Sequence, residues 1–399
     1  MSHFTRLAML IIATLLPLAC SVTPPEQPQG ARPEIIFENT GGIWQPARGV
    51  DRADRPVIPD GQFYRASGPT LVNMRTLPRA EKATPNLQGL EKRGGGRQEA
   101  PLPDDVMDML REEARFLKPN PRIIDVTDET IAAPSAASAV AGSGFPTIDY
   151  TECCGGGGNV PPDPELAAGP NHLIAVVNVA FEIFDTGGNS LGGPTTFASF
   201  FSSVPACTGV FDPNANYDES ADRFILGIDA NGGDYCIAVS QTGDPTGSWW
   251  VYSFQTASRR DFFDYPHLGV GDDALYLGAN IFGMVTFKEG RVWAIDKNAL
   301  YAGLAPTVVS YSTGSDGTPQ PMNLHGWNQG TWPQGEPHYI LTDGQSFNGV
   351  SYGVWSWNDP FGGNAPVKKP AEVNLNAATG VTAGMPIDAP QAGGGNLQA

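Results

Sequence analysis

The chain is short of basic residues, of histidine and of long apolar runs. Lys and Arg together number 24 against 42 Asp and Glu, with 5 His and 5 Cys in 399 residues. The shortage of positive charge is concentrated: from Thr151 to Ala399 there are eight basic and twenty-four acidic residues. A surface of that sign repels phosphates, which excludes nucleic acid as a partner. The N-terminal apolar run, Leu7–Leu16, is too short for a permanent membrane-spanning helix. No C-x-x-C pair stands with a His or Cys cluster, which argues against structural zinc. The absence of a Gly-x-Ser-x-Gly elbow removes one kind of hydrolase triad. The glycine run Gly155–Gly158 lacks the Lys-Ser/Thr of a phosphate loop. What is plentiful is Gly (48) and Pro (36), which suits a turn-rich, exported all-β protein better than a helical one.

Residues 1–19 have the parts of a secretory signal, Arg6 followed by the run Leu7–Leu16. Pro17-Leu18-Ala19-Cys20 then resembles the bacterial lipobox. Ala19 fits that pattern, while Pro17 and Leu18 stand where it has Leu and a small residue. The resemblance implies diacylation of Cys20, and Ser21 in place of Asp implies the outer membrane. Two acyl chains hold a protein stably on a membrane, so the membrane becomes a partner through the anchor. The alternative is ordinary secretion.

An exported chain keeps disulfides. Cys153, Cys154, Cys207 and Cys236 allow three connectivities. Cys207 and Cys236 flank one predicted strand pair and are the expected bridge. Cys153 and Cys154 would then form a vicinal bridge or stay reduced.

Residues 20–150 read as a tether and a mostly irregular N-terminal region. Its one helix spans 104–117, with Pro103 at the start and an apolar stripe through Val106, Met107, Leu110, Ala114 and Leu117. Residues 132–144 read as a linker. The texture then changes, and residues 160–378 repeat, followed by a flexible tail over 379–399. A first strand type starts at His172, Arg223, Ala274 and His338. A second follows at Phe181, Tyr235, Arg291 and Tyr352, and a third at Thr195–Phe201, Trp249–Phe254, Thr307–Tyr311 and Ala371–Leu375. Three units open alike, on Asp163-Pro164, Asp212-Pro213 and Tyr265-Pro266. Short strands at such a period, near-continuously apolar, predict a β-propeller of about four blades, either closed or part of a larger ring.

Thr242-Gly-Asp244-Pro-Thr-Gly-Ser248-Trp249 resembles the Asp-box turn of sialidases and other propellers, with the Gly displaced by one. That turn is structural: the Asp accepts backbone N–H groups and the Trp packs between blades. Three longer stretches, Val160–Pro164 with Gly169–His172, Ile237–Trp249 and Asp264–Val270, resemble a group of secreted bacterial β-propeller proteins of unassigned activity. The resemblance implies the fold and brings no catalytic residues.

Asp212, Asn214, Asn216 and Asp218 place oxygen atoms at alternate positions, as a calcium loop does. Tyr217 replaces the glycine an EF-hand needs, so an Asx-rich turn is the favoured reading and a looser calcium loop the alternative. Asp229–Asp234 reads as a hairpin turn. Trp327, Trp332, Trp355 and Trp357 suit blade packing first and sugar stacking second.

Two functional expectations follow. The first is a surface propeller that binds an extracellular protein or glycan, without chemistry or cofactor of its own. The alternative is a glycan-active enzyme, hydrolase or lyase, with Asp264, His267 and Asp272 at the channel.

Overall fold

The computed structural model describes residues 37–40, 43–46, 55–80, 144–148, 163–258, 261–283, 286–343, 351–370, 373–374, 389–390 and 396–397. The export signal, Cys20, the helix expected over 104–117 and the Cys153-Cys154 pair lie outside these residues. The chain begins with four strands, β1 (Phe37–Thr40), β2 (Ile43–Pro46), β3 (Tyr64–Arg65) and β4 (Ser67–Asn73). The first two form a hairpin.

Four antiparallel sheets follow as the four blades of a propeller. The first runs β5 (Glu165–Ala168), β6 (His172–Val177), β7 (Ala180–Asp185) and β8 (Thr195–Thr196). The second runs β9 (Val210–Asp218), β10 (Arg223–Ala230), β11 (Asp234–Ser240) and β12 (Ser248–Gln255). The third has β13 (Phe262–Val270), β14 (Leu275–Phe282), β15 (Phe287–Ile295) and β16 (Thr307–Gly314). The fourth has β17 (Gly317–Pro321), β18 (His338–Asp343), β19 (Ser351–Trp357) and β20 (Val367–Lys368), with β21 (Val373–Asn374) also pairing β19. A last hairpin joins β22 (Ala389–Pro390) and β23 (Asn396–Leu397). The early strands are used as outer edges: β4 pairs β12, and β3 pairs β16. One N-terminal stretch thus covers the exposed edges of two neighbouring blades.

Two sequence expectations change. The X-Pro segments that lead into each repeat are themselves the innermost strands or their first residues, so the blades have four strands rather than three. In the first blade, Thr195–Phe201 is a strand for two residues only. Thr196 then caps helix α1 (Phe197–Phe200), its hydroxyl accepting from the Ser199 N–H at 3.1 Å. A second short helix, α2 (Lys297–Tyr301), follows β15.

The blades are joined by apolar clusters. Phe181, Ile183 and Phe200 meet Leu226, Ile228 and Trp249 between the first and second. Ile237, Tyr252 and Phe254 meet Phe263, Leu277 and Trp293 between the second and third. Tyr276, Val292 and Val309 meet Ile340 and Trp357 between the third and fourth. Middle strands are therefore covered on both faces, which explains their unbroken apolar runs. Among the described residues no such cluster joins the fourth blade to the first. Leu166, Tyr339 and Leu341, alternating with buried Ala167 and Ile340, are 59 %, 39 % and 37 % exposed on the outward faces.

The glycine repeated in the second strands has a steric reason. A Cβ at Gly278 would stand 2.0 Å from the Pro319 carbonyl of the next blade, and one at Gly227 would strike the Tyr235 hydroxyl. The bridge between Cys207 and Cys236 forms as expected, tying the segment before β9 to β11.

Candidate active site at the propeller axis

Each innermost strand carries the same irregularity at its first turn. Asp163, Asp212, Tyr265 and Thr318 all have left-handed backbone, with φ of 40°, 51°, 56° and 46°. Each is followed by proline, at 164, 213, 266 and 319. In the second, third and fourth blades the strand pairing shifts register at this point. A non-glycine residue with positive φ is uncommon, and one before proline is pushed towards extended backbone instead. Four such residues at equivalent places form a built feature that re-aims side chains at the end of the strand. Three of the four openings are legible in the sequence. Thr318-Pro319 is not, because neither an Asp nor an aromatic residue precedes its proline.

Two of these residues are acids, and they meet. Asn178, just after β6, donates from Nδ2 to Asp163 Oδ2 at 2.7 Å and accepts the Asp212 N–H on Oδ1 at 3.3 Å. Asn280 makes the matching link between third and fourth blades: it accepts the Thr318 N–H at 2.6 Å, and its Nδ2 lies 3.3 Å from the Thr318 hydroxyl. The Asp163 and Asp212 carboxyls are hydrogen-bonded to each other, and Asp212 also contacts Asp264 and the Tyr265 N–H. Burial, and then the nearby Asp163 charge, push the Asp212 carboxyl up to about 7. Burial raises Asp163 as well. Two acids this close resist ionising together, because the charge on one raises the cost of charging the other.

Asp264 is 5 % exposed and accepts the Tyr265 N–H on Oδ1 at 3.0 Å. The Tyr265 side chain is 42 % exposed, the one large exposed apolar side chain on the four innermost-strand bulges. Asp343, at the end of β18, is raised by burial and bonded to Thr318.

The other expected site residues separate. His267 lies on β13, its Nε2 buried without a hydrogen-bond partner among the described residues; burial lowers its pKa to about 4, so it is neutral. Asp272 lies at the far end of that strand, beyond Val270, where it accepts the Trp332 Nε1–H at 3.0 Å. A nine-residue strand extends roughly 25 Å, so Asp264 and Asp272 serve opposite ends of the propeller.

The Asp212–Asp218 segment is corrected from a turn or calcium loop to strand β9. Its two acids end up at opposite ends. Asn214 donates to Glu165 Oε1 at 3.0 Å and to the Pro266 carbonyl at 2.9 Å, and Asn216 donates to the Leu268 carbonyl at 2.7 Å. These amides space the innermost strands. Asp218 pairs with Lys297 at 3.2 Å. Alternating oxygen ligands in sequence arise equally from one face of a strand, which is why the pattern resembled a loop. Among the described residues no group of three or more His, Cys, Asp or Glu side chains has the arrangement of a metal site.

The Asp244 turn joins β11 to β12. Asp244 Oδ1 accepts the Thr246 N–H at 2.9 Å and its hydroxyl at 2.7 Å, while the Asp244 N–H points to the Thr242 hydroxyl at 3.2 Å. Ser248 opens β12 and Trp249 is fully buried, its Nε1–H on the Pro245 carbonyl at 2.8 Å.

No protein-family model matches the chain. No curated protein matches it either. Among solved structures it is similar to an exo-β-1,3-galactanase from Clostridium thermocellum, at 12 % identity and TM-score 0.31 over 52 % of this chain and 48 % of the other. It is similar to an endo-1,4-β-xylanase from Bacteroides thetaiotaomicron, at 16 % identity and TM-score 0.30 over 55 % and 76 %. A third is a GH43 β-1,3-galactosidase with galactodeoxynojirimycin, at 10 % identity and TM-score 0.31 over 54 % and 77 %. The chain spans about half the length of the galactanase structure. The expectation of a propeller without chemistry is corrected at this point. The axis holds a half-buried acid pair, Asp163 and Asp212, with the buried Asp264 beside it, a poor arrangement for passive docking.

Proposed function

We propose that the protein is a glycan-cleaving enzyme, a glycoside hydrolase working at the axial acids. The observation that carries the reading is the meeting of Asp163, Asp212 and Asp264 at the inner ends of neighbouring blades, where burial favours the protonated form of Asp212. Glycosidic cleavage needs one carboxylic acid still protonated near neutral pH and another carboxyl to handle water. Asp212, held near 7, supplies the first. Its proton goes to the leaving glycosidic oxygen as the C–O bond breaks. Water then takes the leaving group's place at the sugar carbon and returns a proton to the Asp163–Asp212 pair, while Asp264, the third carboxyl in contact with Asp212, steadies the positive charge that develops on the sugar. Tyr265 offers an aromatic surface beside these groups on which a pyranose ring can lie.

Placement outside the cytoplasm, through the signal over residues 1–19 and acylation of Cys20, belongs to the same proposal, with an extracellular glycan as the partner. Changing Cys20→Ser should move the protein from the membrane fraction to the soluble one.

Release of new reducing ends from a panel of neutral polysaccharides by the full chain tests the activity. Cleavage lost in Asp212→Asn and in Asp264→Asn supports it. Absence of any cleavage by the parent protein across the panel removes it.

A further inference from the structure

The place opposite the inner-strand bulge holds Asn or Asp in every blade. Asn280 stands opposite Asp264, just before the bulge at Tyr265. Asp229 and Asp343 stand opposite Phe211 and Gly317, just before the bulges at Asp212 and Thr318. Asn178 follows β6 at the equivalent place, two residues beyond Val176, which faces Glu165. The first and third blades thus carry an amide there, and the second and fourth an acid.

The difference is chemical, because an amide both donates and accepts while a carboxylate only accepts. Asn280 directs both functions at Thr318. Asn178 divides them. Its Oδ1 accepts the Asp212 N–H at 3.3 Å, and its Nδ2 donates to Asp163 Oδ2 at 2.7 Å. A backbone N–H can only donate, so the amide oxygen must face Asp212 and the amide nitrogen must face Asp163. One side chain, 7 % exposed, therefore holds the backbone of one acid and the carboxyl of the other.

This makes the two carboxyls unequal. The Asp163 carboxyl receives two N–H groups, from Asn178 and from its own backbone. The Asp212 carboxyl receives one, from Tyr265. Each N–H favours the ionised form of the carboxyl it reaches. Two further acids face the pair, Glu165 beside Asp163 and Asp264 beside Asp212. Each, when ionised, disfavours charge on its neighbour, so the two oppose one another. The Glu165 oxygens are engaged by Asn214 at 3.0 Å and the Ala215 N–H at 2.6 Å. Asp229 accepts the Gly232 N–H of its own hairpin at 2.8 Å. The Asn178 N–H is the donor that breaks the tie.

We propose that Asn178 is a positioning residue that decides which acid of the pair carries the proton: its amide holds Asp163 ionised and leaves the proton on Asp212. The proposal rests on the reading of Asp212 as proton donor and supplies the reason that Asp212, rather than Asp163, has that role. The ordering itself is measurable without any substrate.

The test is carbon-13 NMR of the full chain labelled at the aspartate carboxyls, titrated with pH. The two signals are identified by their loss in Asp163→Asn and in Asp212→Asn. In the parent, Asp163 should make most of its change in the lower of the two coupled steps, and Asp212 in the upper. In Asn178→Ala the midpoints of the two signals should move together by about one pH unit or more, or exchange order. Asn178→Ser, which keeps a smaller donor, should shift them the same way by less. Asn280→Ala breaks the matching link between the third and fourth blades and should leave the Asp163–Asp212 order as in the parent. A melting curve shows that each variant is folded. Asp163 titrating in the upper step of the parent, an order unchanged in Asn178→Ala, or an equal shift in Asn280→Ala would each overturn the proposal. Absence of cleavage by the parent would remove the enzymatic reading and leave this ordering, read from the carboxyl signals, to stand or fall separately.

Discussion

The imidazole of His338 lies flat on the ring of Tyr276, 3.8 Å between centroids and 3° between planes. This stack sits at the joint between the third and fourth blades. Both His338 nitrogens are buried without a hydrogen-bond partner among the described residues. Burial, with a smaller contribution from the Lys297 charge, lowers its pKa to about 3. The folded protein therefore holds His338 neutral, while the unfolded chain takes up a proton below about 6.5. The stability this neutrality contributes is complete above pH 6.5 and is lost as pH falls from there towards 3. At pH 4.5 the loss is on the order of 3 kcal/mol, from two pH units at about 1.4 kcal/mol each. Urea unfolding of the parent and of His338→Phe, at pH 7 and 4.5, should show the parent losing more. Parallel losses in the two proteins would mean that His338 is not the group responsible.

Asp212 has the opposite sign. Its folded-state pKa, about 7, lies above the ordinary carboxylate value. The stability contribution is present below about pH 4 and is lost as pH rises through 7, where the folded state must release a proton it holds tightly. Asp212→Asn removes that release. It should be more stable than the parent at pH 8, by roughly 1–3 kcal/mol, with the difference shrinking at pH 4. Thermal melts at the two pH values check this; a variant less stable at pH 8 would show that the carboxyl is not under the strain described.

Lys297 and Asp218 form a buried pair at the joint of the second and third blades. Lys297 Nζ also donates to the Gly271 carbonyl at 2.6 Å, and the Tyr301 hydroxyl donates to Asp218 at 2.8 Å. Lys297→Met leaves a buried carboxylate without its cation and should cost about 3–5 kcal/mol. Adding Asp218→Asn should recover part of that cost. A double-mutant cycle by urea unfolding reads the coupling, and additive losses would contradict it.

Removing the Cys207–Cys236 bridge by Cys207→Ala with Cys236→Ala should cost about 2–4 kcal/mol, the usual range for a loop of this length. Denaturant midpoints of the two proteins under non-reducing conditions measure it.

The propeller was legible because its middle strands are covered on both faces. Phe224 to Ala230 are all buried, so β10 opens on the apolar run Phe224–Ile228, and β14 likewise opens on Leu275–Ala279. The innermost strands hid for the opposite reason. Proline inside a strand normally argues against one, and Asp212-Pro213 and Tyr265-Pro266 read as lead-ins. In the ring, the left-handed residue before each proline makes a bulge that tolerates it. The acid pair was illegible because Asp163 and Asp212 lie in different repeats, and only the arrangement of blades around an axis brings them together. The sequence groups Asp264 with Asp272 as channel candidates. They are close in sequence, but strand β13 carries them to opposite ends.

The rate of glycan cleavage as a function of pH, for the parent and for Asp212→Asn, tests the central claim most directly. If Asp212 is the proton donor, the parent rate should fall as pH rises through about 7, where that carboxyl ionises. The variant should lose on the order of 10²–10⁴-fold in rate and lose the alkaline fall with it. A variant that cleaves at the parent's rate with the same pH profile would contradict the account.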